Sequence, residues 1–344
     1  MKYKLYTTSF KAWDAMIEAI DGASKSIYLE MYIFERDTTS SHDFIGKLKQ
    51  KARDGVRVVI VADAYGSKNL KNELAKSMQA AGIELIFFSH WLRHIHRKIL
   101  IVDKKIAFVG GVNIGKEFAH WDDLQLRMKG GIVKRILKSF AYTYEMAGGK
   151  DHKILHLKNG KFTAKLKFLI MEHWPTKNIH TLKSHYIEKI SNAKKSIQIA
   201  TPYFTPPRWL SSLLDSAASR GVAIEILIPS DVDLKIMNNV NRHYMNKLNP
   251  SGVKFYLSKK MNHAKLLIVD HEEGLIGSQN IDLASFQLNS EVGIFFKEKK
   301  LLTELETTIK KWKQNSEIFK PQKHKMRFID YVILALSKIL YPIL

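Results

Sequence analysis

The 344-residue chain contains no cysteine. That removes disulfide frameworks, thiolate zinc sites, iron–sulfur clusters and cysteine nucleophiles together, and a cytosolic protein is the simplest reading. Proline and glycine are sparse, at 8 and 18 residues, while 45% of the chain is hydrophobic. Collagen-like and disordered classes are thereby excluded, and a buried core is within reach. Acidic residues are few beside basic ones: 33 Asp+Glu against 55 Lys+Arg leave a formal charge of +22. Such an excess favours polyanionic partners, the phosphates of nucleic acid or of anionic lipid, without choosing between them. Residues 1–20 lack a continuous apolar run and carry Lys2, Lys4, Lys11, Asp14 and Glu18, so neither a secretory signal nor a spanning helix is expected there. The length suggests two domains of ~150 residues.

One segment is mostly apolar, residues 328–344. On a helical wheel Asp330, Ser337, Lys338 and Tyr341 share a stripe. At ~1.5 Å per residue the segment reaches ~26 Å, short of a ~30 Å hydrocarbon core. A helix lying in the membrane interface is expected rather than one that spans. Residues 297–327 hold ten Lys/Arg against four Glu, which suits an anionic leaflet. The alternative is a terminal helix docked on the protein's own core, preceded by solvated lysines.

The chain repeats itself. Ala23-Ser24-Lys25-Ser26-Ile27 leads into one apolar run, and Ala193-Lys194-Lys195-Ser196-Ile197 into another, 170 residues on. The stretch from Arg53 to Asp63 answers the one from Ser219, with Gly55 and Gly221 in the same place 166 residues apart. Gly82 answers Gly252, and His96 answers His263, at offsets of 170 and 167. Short β-branched runs, nearly unbroken in apolar character, alternate with amphipathic stretches such as 43–51 and 210–218. This pattern predicts α/β architecture with strands buried on both faces of a mixed sheet. The expected division is 1–150, 151–322 and the terminal segment 323–344, with 148–175 as the link between halves.

The sharpest feature is a run of matched positions that begins at one histidine in each half. The first half reads His96-x-Lys98-x4-Asp103-x6-Gly110-Gly111-x-Asn113, and the second His263-x-Lys265-x4-Asp270-x6-Gly277-Ser278-x-Asn280. In an extended segment, His and Lys two apart project from the same face. A nucleophile or acid then stands beside a cation able to hold an anion. The turn to Gly-Gly-Val-Asn or Gly-Ser-Gln-Asn returns backbone N–H groups and an amide side chain, which can bind phosphate oxygens. Asn113, Asn280 and Ser278 are the candidate phosphate ligands. A lone His-x-Lys pair is weak evidence; two matched copies within a repeat point to function.

These paired motifs resemble those of the phospholipase D superfamily, and its cardiolipin synthase branch in particular, over roughly residues 8–315. Thr201-Pro202-Tyr203-Phe204, Trp121-x-Asp123-x3-Arg127 and Asn289-Ser290-Glu291 resemble that branch too. The resemblance implies an internally duplicated phospholipase D-like fold, two mixed-sheet α/β halves with pseudo-two-fold symmetry. It implies a metal-free phosphatidyltransferase, without cofactor, in which His96 attacks phosphorus and His263 is the general acid and base. Lys98 and Lys265 would hold the non-bridging oxygens. Asp123 and Glu291, 27 and 28 residues after their histidines, are candidates to orient them. Asp103 and Asp270 complete the catalytic motif; ending their strands, they either touch substrate or brace the local turn. Bacterial members of the branch begin with two spanning helices that this chain does not show, which moves the expected attachment to the C-terminal segment, peripherally on the cytoplasmic face. The implied substrate is phosphatidylglycerol at a membrane surface. Two internal motifs suffice for one site, so a monomer is permitted.

Other readings stand beside this one. A phospholipase D uses the same intermediate and admits water. A nuclease of the same superfamily would suit the charge equally, but the cardiolipin-synthase-like details and the apolar tail have no use in cutting DNA, so no nucleic-acid partner is expected. His90, His94 and His96 have a spacing that could hold zinc, yet the second half has no matching cluster; His90 and His94 are expected in a substrate-facing loop. Tyr28, Tyr32, Tyr203 and Phe204 are expected as core or pocket wall. Trp91 and Leu92, just ahead of the motif, are candidates to dip into lipid.

Overall fold

Each apolar run is a strand at the centre of its own mixed sheet. The computed structural model describes residues 2–36, 41–160 and 167–321. The terminal segment 323–344, with its expected interfacial helix, lies outside the described residues. The chain divides into two units, Met1–Ile170 and Met171–Leu344. The division falls later than the expected 150 because the next residues are tied into the first unit. The Asp151 carboxylate accepts from Arg57, its amide donates to the Tyr144 hydroxyl (2.9 Å), and Lys138 Nζ donates to the Gly160 carbonyl (3.0 Å).

The first unit runs β1 (Lys2–Thr8), α1 (Ser9–Asp21), β2 (Ser26–Met31), α2 (Phe44–Arg53), β3 (Arg57–Asp63), α3 (Glu73–Ala80), β4 (Glu84–Phe88), β5 (Lys98–Val102), β6 (Ile106–Gly110), β7 (Asp122–Lys129), α4 (Gly131–Met146) and α5 (His152–Leu155). Its sheet has the order β1-β7-β6-β5-β2-β3-β4. Strands β2, β3 and β4 are parallel, and β5, β6, β7 and β1 continue antiparallel.

Strand β8 (Phe168–Trp174) spans the boundary, and the second unit continues with β9 (Ile179–His180), α6 (Thr181–Asn192), β10 (Ser196–Ala200), α7 (Arg208–Ser219), β11 (Ala223–Pro229), α8 (Ile236–Leu248), β12 (Lys254–Ser258), β13 (Leu266–Val269), β14 (Glu273–Gly277), α9 (Leu283–Gln287), β15 (Glu291–Phe296), α10 (Lys299–Gln314) and β16 (Ser316–Ile318). Its central order β12-β11-β10-β13-β14-β15 repeats β4-β3-β2-β5-β6-β7.

Local chemistry explains where the elements begin and end. Thr8 caps α1 by accepting from the Lys11 amide, and Asp43 caps α2 by accepting from Gly46, each satisfying an orphan N–H of the first turn. Gly55 and Gly221 hold φ of 87° and 85°, the left-handed turn that passes from helix to strand and that a β-carbon disfavours. Part of the basic run is α10, an amphipathic helix that buries Leu301, Leu305, Ile309 and Trp312 and keeps its lysines outward.

Alternation along β2 and β5 decides what each face sees. Ile27, Leu29, Met31, Leu100 and Val102 share a core with Trp13, Met16 and Leu48 of α1 and α2. The other face meets α4: Tyr28 packs on Phe140 with ring centroids 5.3 Å apart, and the Thr143 hydroxyl donates to Glu30 at 2.8 Å. Arg97, between the motif's His and Lys, points to this reverse face. There it forms an ion pair with Glu30 at 3.0 Å, both side chains wholly buried. The equivalent positions of the second unit are Ala200 and Ala264. Breaking one side of a buried pair leaves an uncompensated charge, whereas replacing both sides by apolar residues does not. Arg97→Ala should therefore cost about 3–5 kcal/mol of unfolding free energy. Glu30→Leu combined with Arg97→Met, apolar and of similar volume, should recover most of that loss, as read by urea unfolding of the three chains.

Candidate active site

In the first unit the motif lies where the chain enters β5. Lys98 is wholly buried, and its Nζ donates to the His96 carbonyl at 2.9 Å. The same ammonium stands 5.0 Å from the centre of the Tyr32 ring, whose edge meets His96 at 4.7 Å. Tyr32 is thus a wall shared by the imidazole and the cation. Asn113 is fixed from behind by Trp13, which donates Nε1–H to its carbonyl at 2.9 Å. The Asn113 side-chain oxygen is buried and has no hydrogen-bond partner among the described residues.

The second unit repeats the arrangement. Lys265 Nζ donates to the His263 carbonyl at 2.5 Å, and both side chains are buried. The Asn280 amide donates to Ser285 Oγ at 3.2 Å, while its side-chain oxygen is buried with no partner among the described residues. A buried carboxamide edge left unanswered in both copies is costly unless something else meets it. The loops after β2 and β10 are held alike, by isolated bridges from Phe34 to Ile114 and from Phe204 to Ile281.

Asp123 and Glu291 share a place in the register. Pairing of Ile99 with Val109 and Gly110 with Gln125, continued past the strand ends, carries His96 and Asp123 into one cross-strand row. Pairing of Leu266 with Ile276 and Gly277 with Gly293 does the same for His263 and Glu291. Both carboxylates are buried. A β-carbon on Gly111 would stand 2.3 Å from Asp123 Oδ1, so the backbone passes under that carboxylate only as glycine.

The equivalent position in the second unit is Ser278, the expected phosphate ligand. Ser278 is wholly buried, donates its hydroxyl to Glu291, and accepts from the Val292 amide at 3.1 Å. Its one donor proton is thus directed at Glu291 inside the sheet. Glu291 also bears on Tyr186, whose hydroxyl is pushed up by burial and then by that carboxylate. His173, held down at about 4 by burial and by neighbouring His180, remains neutral at pH 7 and supplies no positive charge to Glu291.

Asp103 and Asp270 brace rather than face outward. In each copy the Asp and the residue after it have φ between 51° and 61°, and the chain closes with an amide of Lys105 or Glu272 on Val102 or Val269. This is the type I′ turn of a hairpin, which favours Asp and Asn among non-glycine residues. The Asp103 carboxylate then accepts from the amides of Ser24, Lys25 and Ser26 at 3.0, 2.7 and 2.9 Å. Asp270 accepts from Lys194, Lys195 and Ser196 at 2.9, 2.7 and 2.9 Å. Burial is the largest single influence on both carboxyls and pushes them up, but the amide bonds together outweigh it and hold them below the ordinary 3.8.

The three histidines ahead of Lys98 go separate ways. His90 is exposed and accepts from the Leu92 amide at 3.2 Å. His94 is buried, its Nδ1 3.2 Å from Asp63 Oδ1. Asp63 also accepts from the amides of Tyr65, Gly66 and Ile95, each at 3.0 Å, stitching the loop after β3 to the strand that bears the motif. Sequence reasoning missed Asp63. The available signal was an acid closing a buried apolar strand; the second unit has Pro229 and Met261 at the corresponding places. Tyr28, Tyr203 and Phe204 are buried. Trp91 is 76% exposed, an unusual position for so large an apolar surface.

A duplicated α/β unit with a buried His-x-Lys pair and an unanswered Asn in each copy defines a phosphoryl-handling class. The family model described as cardiolipin synthase, PLD-like domain, matches residues 16–143 and again 186–313, one motif in each. The chain belongs to this family. It is 32% identical to a cardiolipin synthase of Clostridium perfringens over 314 residues, 85% of this chain and 66% of that protein. A cardiolipin synthase of Listeria monocytogenes is 29% identical over 99% of this chain and 75% of its own length. The chain spans about two thirds of the Clostridium relative. Among solved structures, a phosphatidylserine synthase of Haemophilus influenzae superposes with a TM-score of 0.75 at 15% identity, covering 99% of this chain and 93% of that one. A polyphosphate kinase of Porphyromonas gingivalis gives 0.63 at 14% identity, over 98% of this chain and 53% of its own. These likenesses concern the fold. Among the described residues, no helix is long and apolar enough to cross a membrane.

Two outcomes test the assignments. Asp103→Ala should lower unfolding free energy by about 1–3 kcal/mol. A carboxyl depressed in the folded state contributes in full above its ordinary value and loses that contribution as pH falls through the folded one. The unmodified chain should therefore lose stability below about pH 4 more steeply than Asp103→Asn in urea unfolding. Ser278→Ala should cost about 1–3 kcal/mol in thermal unfolding with inorganic phosphate affinity unchanged; a phosphate ligand would show the reverse.

Proposed function

We propose that the protein is a phosphatidyltransferase that makes cardiolipin from two molecules of phosphatidylglycerol, releasing glycerol. What carries the reading is the pair of buried His-x-Lys sites, one per unit, in a chain of the cardiolipin synthase family.

His96 Nε2 attacks phosphorus. The N–P bond forms as the P–O bond to the glycerol headgroup breaks, and protonated His263 gives its proton to the departing alkoxide. Neutral His263 then takes the proton from a hydroxyl of the second phosphatidylglycerol. That oxygen attacks phosphorus, the P–N bond breaks, and His96 is regenerated. The scheme uses one imidazole neutral, as nucleophile, and the other protonated, as acid. Lys98 and Lys265 hold the non-bridging oxygens as charge builds. Asn113 and Asn280 offer amide donors once the carboxamide turns about its last torsion, an exchange of N and O that costs nothing in shape. Asp123 and Glu291 orient the two rings through their far nitrogens, as their rows in the register support. Asp103 and Asp270 act on the fold. The lysines supply the positive charge that a metal supplies elsewhere. The protein works peripherally on the cytoplasmic face of the membrane, its +22 charge drawing it to anionic lipid and Trp91 offering an interfacial anchor.

The test is purified protein with phosphatidylglycerol vesicles in EDTA, resolving lipids and free glycerol. Cardiolipin with equimolar glycerol is the expected product, and His96→Ala should abolish it while the chain stays folded. Phosphatidic acid alone would make the protein a phospholipase. Absence of any lipid product, with cleavage of DNA, would make it a nuclease.

A further inference from the structure

The second unit contains a cavity of about 690 Å³ whose lining includes no residue of either motif. Its rim is the stretch Thr205-Pro206-Pro207 and the start of α7; α8 and α9 close the other sides. The rim is rigid by construction. Asn241 of α8 accepts from the Phe204 amide at 2.7 Å and donates to the Pro202 carbonyl at 2.9 Å. The Thr205 amide donates at 2.7 Å to the carbonyl of Ile281, the residue after Asn280.

The chemistry of the lining is one-sided. Arg208 and Lys247 supply two exposed cations, His243 adds a third basic group, and among the described residues no Asp or Glu takes part. Trp209, Tyr244 and Leu283 supply apolar surface beside them. Trp209 is set in place by edge contact with Phe286, ring centroids 5.0 Å apart. Cations beside apolar, aromatic surface match a ligand that is an anion at one end and a hydrocarbon at the other. The volume lies in the range of small-ligand sites, ~300–1,000 Å³.

We propose that this cavity binds the phosphodiester headgroup and first acyl carbons of an anionic glycerophospholipid. Arg208 and Lys247 take the phosphate oxygens, and Trp209, Tyr244 and Leu283 cover the chain. This role rests on the transferase reading and deepens it, because the cavity shares its rim with the segment that carries Asn280 and so holds a lipid next to the second motif's loop.

The experiment uses the full chain carrying His96→Ala, so that bound lipid is not consumed, titrated calorimetrically with dihexanoylphosphatidylglycerol below its micelle concentration. Without a vesicle surface, the overall positive charge of the protein is not what is read. Arg208→Ser with Lys247→Ser should weaken one class of binding at least tenfold, while circular dichroism and melting stay unchanged, both positions being exposed. Dihexanoylphosphatidylcholine should bind at least tenfold more weakly than the anionic lipid, and inorganic phosphate should displace neither. An unchanged titration in the double variant would overturn the proposal. So would equal binding of the zwitterionic lipid, or of inorganic phosphate, which would make this a free-anion site, or displacement of the lipid by duplex DNA. Failure of the transferase reading shows separately, as no cardiolipin from the unmodified chain, and leaves this titration intact.

Discussion

Everything in each unit hangs on one carboxylate held by three consecutive amides. Asp103 and Asp270 close a left-handed hairpin turn and, from that turn, reach across to the segment just before β2 or β10. The bond runs between residues more than seventy positions apart, and it fixes where the motif-bearing strand lies against the strand beside it. With that edge fixed, the ladder of β5 or β13 brings its lysine back onto its own histidine's carbonyl, and β6 or β14 delivers the asparagine. A strand slipped by one residue would turn His and Lys to the opposite face. The clamp is thus a device for register, and it recurs in both copies on the amides that lead into β2 and β10.

Around that shared frame the two copies have diverged in ways that keep the physics and change the residues. Behind the first motif a buried Arg97–Glu30 pair occupies the space that Ala264 and Ala200 leave to apolar packing in the second. Ahead of it, Asp63 and His94 tie two loops together where the second unit has Pro229 and Met261. Beside the buried acid, one copy removes a side chain at Gly111 and the other adds a hydroxyl at Ser278. Both solutions satisfy a buried carboxylate; one gives it room and the other a donor. These asymmetries give two otherwise matched motifs different surroundings.

Several of these relations are legible in the amino-acid sequence. The duplication, the buried strands and the same-face placement of His96 with Lys98 and of His263 with Lys265 follow from repeat offsets and a period of two. The turn-bracing role of Asp103 and Asp270 is open at that level, because the amides of another segment decide it. A Gly-Ser turn after a strand looks like a phosphate loop, and the contact of the Ser278 hydroxyl with Glu291 on the neighbouring strand is not legible from it. The Asp63–His94 contact joins residues 31 positions apart in sequence, and no local pattern announces it. The cavity between α7, α8 and α9 is likewise assembled from three separate stretches.

The sequence by itself determined which residues repeat, which faces are apolar and which side chains share a face, because periodicity and chemistry are local properties of the chain. Only the tertiary structure decided which donor meets which acceptor. Hydrogen-bond partners are chosen by which strands lie side by side, and that neighbourhood is set by sheet order and not by distance along the chain.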